Sequence, residues 1–306
     1  MVIRKVRLTS RRHFGKRLPH HTGRMIDAIV DLAPRMVNMA FRGRSHGKKP
    51  NWLVPAMEYR FVGHDGDDDT NLYFEAPVFG EAIPQEYAQG EMWPSRPDAN
   101  DTGFELLADL LKDFGLKNRD SDRFDRPLLK KFLELRPLFC ETLFETLEVE
   151  SHRTNAVIDP STILTVTSFY ETTPGPKRVK VYGTLDMIRA STQRFALIMP
   201  NGEEAQGILK EDDICNLQGL LNKPVAVFGK AVYRPSGRLL RIDADKVELG
   251  TKADEFFGKI PAGRTSQPVA TNSHVRNGKG GVNAIFGKWP GDESDEQIEE
   301  ALSRMS

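Results

Sequence analysis

The chain has 306 residues, 39% of them hydrophobic, with 25 Gly, 19 Pro and two cysteines, and its 43 basic and 43 acidic side chains cancel. That length holds one large or two modest domains with real cores. Cys140 and Cys215 lie in apolar helical patterns and read as buried free thiols, which excludes a disulfide framework. The start has no apolar stretch of secretory length and no run approaches a membrane span, so a cytoplasmic protein without membrane contact is expected.

Charge is segregated. Residues 1–50 carry 13 Lys and Arg against two acids, a net of +11, whereas residues 51–150 carry 10 against 22, a net of −12. Two readings stay open: an anionic ligand at the N-terminal region, or two segments that neutralise each other within one fold.

Residues 1–24 read as a basic arm. Ile3, Val6 and Leu8 do not alternate strictly with the charges, so the arm is either a short edge strand or partly mobile. Arg11, Arg12, Lys16 and Arg17, with His20 and His21, form its dense basic cluster. An α+β domain is expected over residues 25–155. Met25, Ile29, Val30, Leu32, Ala33 and Val37 recur at helical spacing, and Pro34 should kink or split that helix. A glycine-bearing loop then holds a second cluster, Arg42, Arg44, His46, Lys48 and Lys49. Cations on an arm and a loop neutralise phosphates without strict geometry, so both clusters are candidate nucleic-acid contacts.

Residues 57–62 and 71–76 read as strands of a hairpin. Asp65, Asp67, Asp68 and Asp69 at its tip lack the spacing and terminal Glu of an EF-hand, and a solvated turn accounts for them. Residues 77–100 are expected to cross the surface without long elements. A helix begins after Thr102, with Glu105 completing a capping box, and Gly115 ends it. A second begins near residues 122–126, with Pro127 in its first turn and an apolar face continuing to Leu147. Residues 161–170 read as a strand.

From Lys177 to Leu249, three strand-like runs (178–188, 194–199 and 204–209) precede a short helix (211–221) and two more strand-like runs (225–233 and 238–247). Gly183, Gly207 and Gly229 fall where a small barrel must bend, and Asn201-Gly202 suits a tight hairpin. This order resembles the oligonucleotide-binding (OB) family, which implies a five-stranded barrel over residues 160–250 plugged by its helix, with a face for nucleic acids, sugars or proteins. An SH3-like barrel is the structural competitor. Single-strand binding needs aromatic platforms beside a cationic track. Lys180, Tyr182, Lys230 and Arg234 are the candidates, with Phe195, Phe228, Tyr233, Arg194, Arg238 and Arg241 nearby.

Residues 258–287 read as a flexible tether, and residues 288–306 as a short acidic amphipathic helix. Trp289, Asp292, Glu293, Ile298 and Leu302 are its candidate partner contacts. The run Trp289-Pro290-Gly291-Asp292-Glu293 resembles the C-terminal tail of bacterial antitoxin-like proteins, which implies a companion protein.

No HExxH, Walker loop, nucleophile elbow or zinc-like Cys/His pairing is present, so no catalytic residue, metal or cofactor is assigned. His64 and His152 remain able to join distant carboxylates in a hydrolytic site. The expected function is a non-enzymatic binding or adaptor protein, with single-stranded nucleic acid the first ligand to test. The alternative is a protein-interaction component of a defence or toxin-control system, and the third an uncharacterised hydrolase.

Overall fold

A computed structural model describes residues 1–10, 17–18, 20–88, 96–140, 144–153, 155–209 and 215–263. All of these belong to one compact unit, Met1–Ser266. The tether from residue 264 and the terminal helix expected at 288–306 lie outside the described residues.

Strand β1 (Val2–Thr9) is central rather than an edge or a mobile arm. With β2 (Arg60–Asp65), β3 (Thr70–Ala76), β4 (Thr146–Val149) and β5 (Ala156–Ile158) it forms an antiparallel sheet of order β2-β3-β1-β4-β5. Its alternation was obscured because Arg4 shares the core-facing set with the buried Val6 and Leu8. Arg4 is tolerated there because its Nε lies 3.0 Å from Glu105 Oε1 on the helix above. On the opposite face Lys5 pairs with Glu150 and Arg7 with Glu148. Within β1, therefore, basic and acidic segments neutralise each other.

Helix α1 (His20–Arg42) runs through Pro34 without splitting. Proline removes one helical hydrogen bond, but the buried Met25, Ile29, Leu32, Met36 and Val37 carry one apolar stripe past it on both sides. Over residues 77–100, where no long element was expected, the described part holds only two one-turn helices, α2 (Phe79–Ala82) and α3 (Pro84–Tyr87), and Phe79 and Ile83 anchor them in the core. Helix α4 (Gly103–Gly115) starts on the complete Thr102–Glu105 capping box. Helices α5 (Arg126–Phe132) and α6 (Arg136–Cys140) are separated by a 3-10 turn at Leu133–Leu135. The helical face expected to reach Leu147 stops earlier, since Leu147 lies in β4.

Residues 161–170 were expected to be a strand because they are rich in β-branched side chains; they form helix α7 (Pro160–Thr172). Asp159 caps its start by accepting from the Thr162 N–H at 2.7 Å, with Pro160 in the first turn. Thr165, Thr167 and Thr172 return their hydroxyls to carbonyls four residues back, which offsets their poor helix propensity. Ile163, Val166 and Phe169 then face the first core.

Strands β6 (Lys177–Arg189), β7 (Arg194–Ile198), β8 (Glu204–Ile208), β9 (Pro224–Tyr233) and β10 (Leu239–Leu249) surround a second core that includes Val181, Leu185, Phe195, Val227, Tyr233 and Ile242. Their hydrogen-bonded order is β10-β8-β7-β6-β9, with β8–β10 parallel and β9 paired again to β10. Gly207 is required because an added Cβ would lie 2.1 Å from the Phe195 ring. Met187 is 37% exposed because the β6–β7 register shifts between Leu185 and Met187.

The OB-family reading is corrected on two points. Among the described residues, the connection between β8 and β9 holds only a 3-10 segment, Cys215–Leu220, where that family requires a plugging α-helix. The face expected to be open is also covered. A 3-10 segment at Lys252–Phe257 lies over β6, Lys180 Nζ is 2.5 Å from Asp254 Oδ1 and 5.1 Å from the Phe257 ring centroid, and Tyr182 packs against Gly250. Asp254 is held down to about 2 by the Lys180 contact and the Thr251 N–H.

Candidate anion-binding clefts

Helix α1 ends at Gly43, whose φ of 71° admits a left-handed cap and whose N–H reaches Met39 O at 2.8 Å. That turn aims the next basic side chains at the β6–β7 turn. The buried Arg42 donates from Nη1 to Lys48 O at 2.6 Å and from Nη2 to Gln193 Oε1 at 2.5 Å. Arg44 Nη2 reaches the same Gln193 oxygen at 3.4 Å, and its buried Nε has no hydrogen-bond partner. Burial lowers the Arg44 pKa, with Arg241 adding to the effect and Asp243 opposing it. Arg42, Arg44, Lys48 and Lys49 thus gather with Trp52 and Gln193 around a cleft of about 530 Å³ that no carboxylate among the described residues lines. Lys48 and Lys49 are exposed, while Trp52 is half-buried with its ring edge-on to Phe41.

A larger cleft of about 720 Å³ has Gly43 on its wall, with Arg194 and Arg241 among its lining residues. A Cβ on Gly43 would lie 2.7 Å from Arg194 Nη2, so glycine permits that guanidinium to approach the end of α1. Arg241 is 3% exposed. It donates from Nη2 to Asp125 Oδ2 at 3.1 Å and from Nε to Asp243 Oδ1 at 2.8 Å, while its buried Nη1 has no hydrogen-bond partner. Asp125 also accepts from the Ser45 N–H and hydroxyl and from the Leu128 N–H, and His46 Nδ1 lies 3.8 Å away. Burial pushes its pKa up, but His46, Arg241 and Ser45 outweigh that and hold it well below the usual carboxylate range.

The structure brings together the second basic cluster but disperses the other candidates. Arg11, Arg12 and Lys16 lie outside the described residues, and Arg17 is exposed. Lys180 and Tyr182 sit beneath the 250–257 segment, Lys230 is exposed on β9, and Arg234 is taken by Asp122. Phe195 and Tyr233 belong to the second core. No aromatic and cationic track is therefore available on β6, and the nucleic-acid role assigned to that face is withdrawn. Trp289, Asp292, Glu293, Ile298 and Leu302 lie outside the described residues.

His152 does join distant carboxylates: one ligand atom each from Asp101, Glu105 and His152 lies within 4.8 Å of the others. Burial raises the Asp101 pKa. Burial also pushes Glu105 up, yet Thr102, Arg4 and His152 bring it below its ordinary value. Arg153 lies 2.9 Å from Asp101 and Arg4 lies 3.0 Å from Glu105, so a dication entering here has to compete with two guanidinium groups. The aspartates of the β2–β3 tip are not in this group. There Asp65 accepts from Asn71 and Tyr73, while Asp67 and Asp68 face solvent.

Sequence reasoning missed Gln193, a turn residue whose partners are about 150 positions away. It also missed Asp125, whose cap position was visible but whose pairing with Arg241 was not. No helix among the described residues is long and apolar enough to cross a membrane. Comparison with protein-family models, curated proteins and solved structures finds no match, so neither the OB-family nor the antitoxin-like resemblance gains support.

Proposed function

We propose that this is a non-enzymatic binding protein for a phosphate-bearing ligand, held in the cleft of Arg42, Arg44, Lys48, Lys49 and Trp52. The observation that carries this reading is four cations around one opening whose wall, among the described residues, has no carboxylate. Arg42 and Arg44 are fixed by Gln193 before any ligand arrives, which reduces the ordering cost of binding. Lys48 and Lys49 remain exposed and adjust to the charges of a phosphate chain. Trp52 offers a flat surface at the same opening, suited to a planar ring on the ligand.

The test is calorimetric titration with inorganic triphosphate, a nucleoside triphosphate and a single-stranded oligonucleotide at two salt concentrations. Affinity should fall as salt rises. The Lys48→Ala/Lys49→Ala double variant should bind roughly tenfold more weakly, or about 1.4 kcal/mol. Trp52→Leu should reduce the preference for base-bearing over base-free ligands. Binding that is indifferent to both salt and the double variant would sink the reading, and the relative affinities of the three ligands identify the source of the phosphate.

A further inference from the structure

We infer that the larger cleft is a second anion site, in which a phosphate group sits between the guanidinium groups of Arg194 and Arg241. The inference does not depend on the first cleft.

A buried guanidinium loses its hydration and ordinarily recovers it from a carboxylate. Arg194 is placed on β7 beside the end of α1, and its one hydrogen bond among those resolved is a 3.5 Å contact from Nη2 to Met39 O. No carboxylate lies within ion-pair distance of Arg194 among the described residues. The acids around it are engaged elsewhere. Asp122 pairs with Arg234, Asp120 with Arg238 and the Ser236 hydroxyl, Asp101 and Asp109 share Arg153, and Asp98 accepts from the Asn100 N–H and side-chain amide. Arg241 adds a second unmet donor, the buried Nη1, because Asp125 and Asp243 occupy its other nitrogens.

Two guanidinium groups with spare donors on one wall suit a tetrahedral oxyanion, whose oxygens accept in several directions. The cleft has room for the ester group of a larger phosphate compound as well. The local field agrees: burial first, then Arg189 and Arg241, bring the Arg194 pKa down to about 10, with Asp122 opposing them. A bound anion removes that penalty.

The experiment uses the Lys48→Ala/Lys49→Ala chain, in which the first cleft is weakened, with inorganic phosphate as the probe. Saturable binding by 31P NMR and a phosphate-dependent rise in melting temperature are expected. Adding Arg194→Gln should weaken binding at least ~10-fold and abolish the rise, since only a group that binds the folded state stabilises it. Arg194→Lys, which keeps the charge but loses the fork, should fall between the two and serves if the glutamine variant fails to fold. Phosphate that stabilises the glutamine or lysine variant as much as its parent overturns the inference, as does an absence of saturable binding in the parent. If the smaller cleft fails its own test, loss of phosphate binding on changing Arg194 still supports this site.

Discussion

Replacing Asp125 with alanine should lower the free energy of unfolding by about 3–5 kcal/mol, the range for stripping one partner from a buried ion pair. Asp125 is 1% exposed and receives hydrogen bonds from Ser45, Leu128 and Arg241. The substitution takes one of the two carboxylates from the Arg241 guanidinium and leaves it only Asp243, leaves the Ser45 hydroxyl without its acceptor and removes the cap of α5. The cap alone accounts for about 1 kcal/mol. Urea denaturation measures the total. Replacing the pair together, as Asp125→Leu/Arg241→Met, should cost less than the single change, because the buried guanidinium goes with its carboxylate and only the partly exposed Asp243 loses a partner. Equal losses in the two proteins would show that the pair is not coupled.

The same carboxylate gives stability a sign in pH. Its folded-state pKa is depressed, so the folded state binds the proton less readily than the unfolded chain does. The stabilisation is complete above the ordinary aspartate range near 3.9 and is lost as pH falls below it toward the depressed folded value. The Asp125→Ala protein should therefore show a flatter loss of stability below about pH 4 than the parent.

What was legible in the sequence was local. The Thr102–Glu105 cap and the hairpin, expected at 57–62 and 71–76 and formed at Arg60–Asp65 and Thr70–Ala76, rest on neighbouring residues or on alternation, and those signals carry over to the structure. Elements governed by distant partners were misread. Arg4 hid the central strand because its partner Glu105 is about 100 residues away. The threonines of α7 imitated a strand because their return to carbonyls four residues back leaves no mark on hydrophobic periodicity. The clefts followed the same division. The density of Arg42, Arg44, Lys48 and Lys49 was visible in the chain, whereas the fixing of two of them by Gln193, and the lack of a counter-ion at Arg194 among the described residues, exist only once the β6–β7 turn meets the end of α1.

Phe114→Ala should destabilise the protein by about 3–5 kcal/mol, the range for removing a buried aromatic ring. Its ring lies 5.4 Å from Phe124, 5.2 Å from Phe132 and 6.1 Å from Phe169, centroid to centroid, so one truncation opens a cavity among α4, α5 and α7. Phe124 and Phe169 are stacked at 5.8 Å and inclined by 25°, and this pair limits how far the walls collapse into the space. Phe114→Leu, which leaves less empty volume, should cost less. The distinguishing measurement is amide hydrogen exchange at Ile163, Val166 and Phe169, read against denaturant stability. If residues 160–172 pack as a helix on the first core, protection there falls together with global stability. Amides of α7 that keep full protection in a clearly destabilised Phe114→Ala protein would detach that helix from the core.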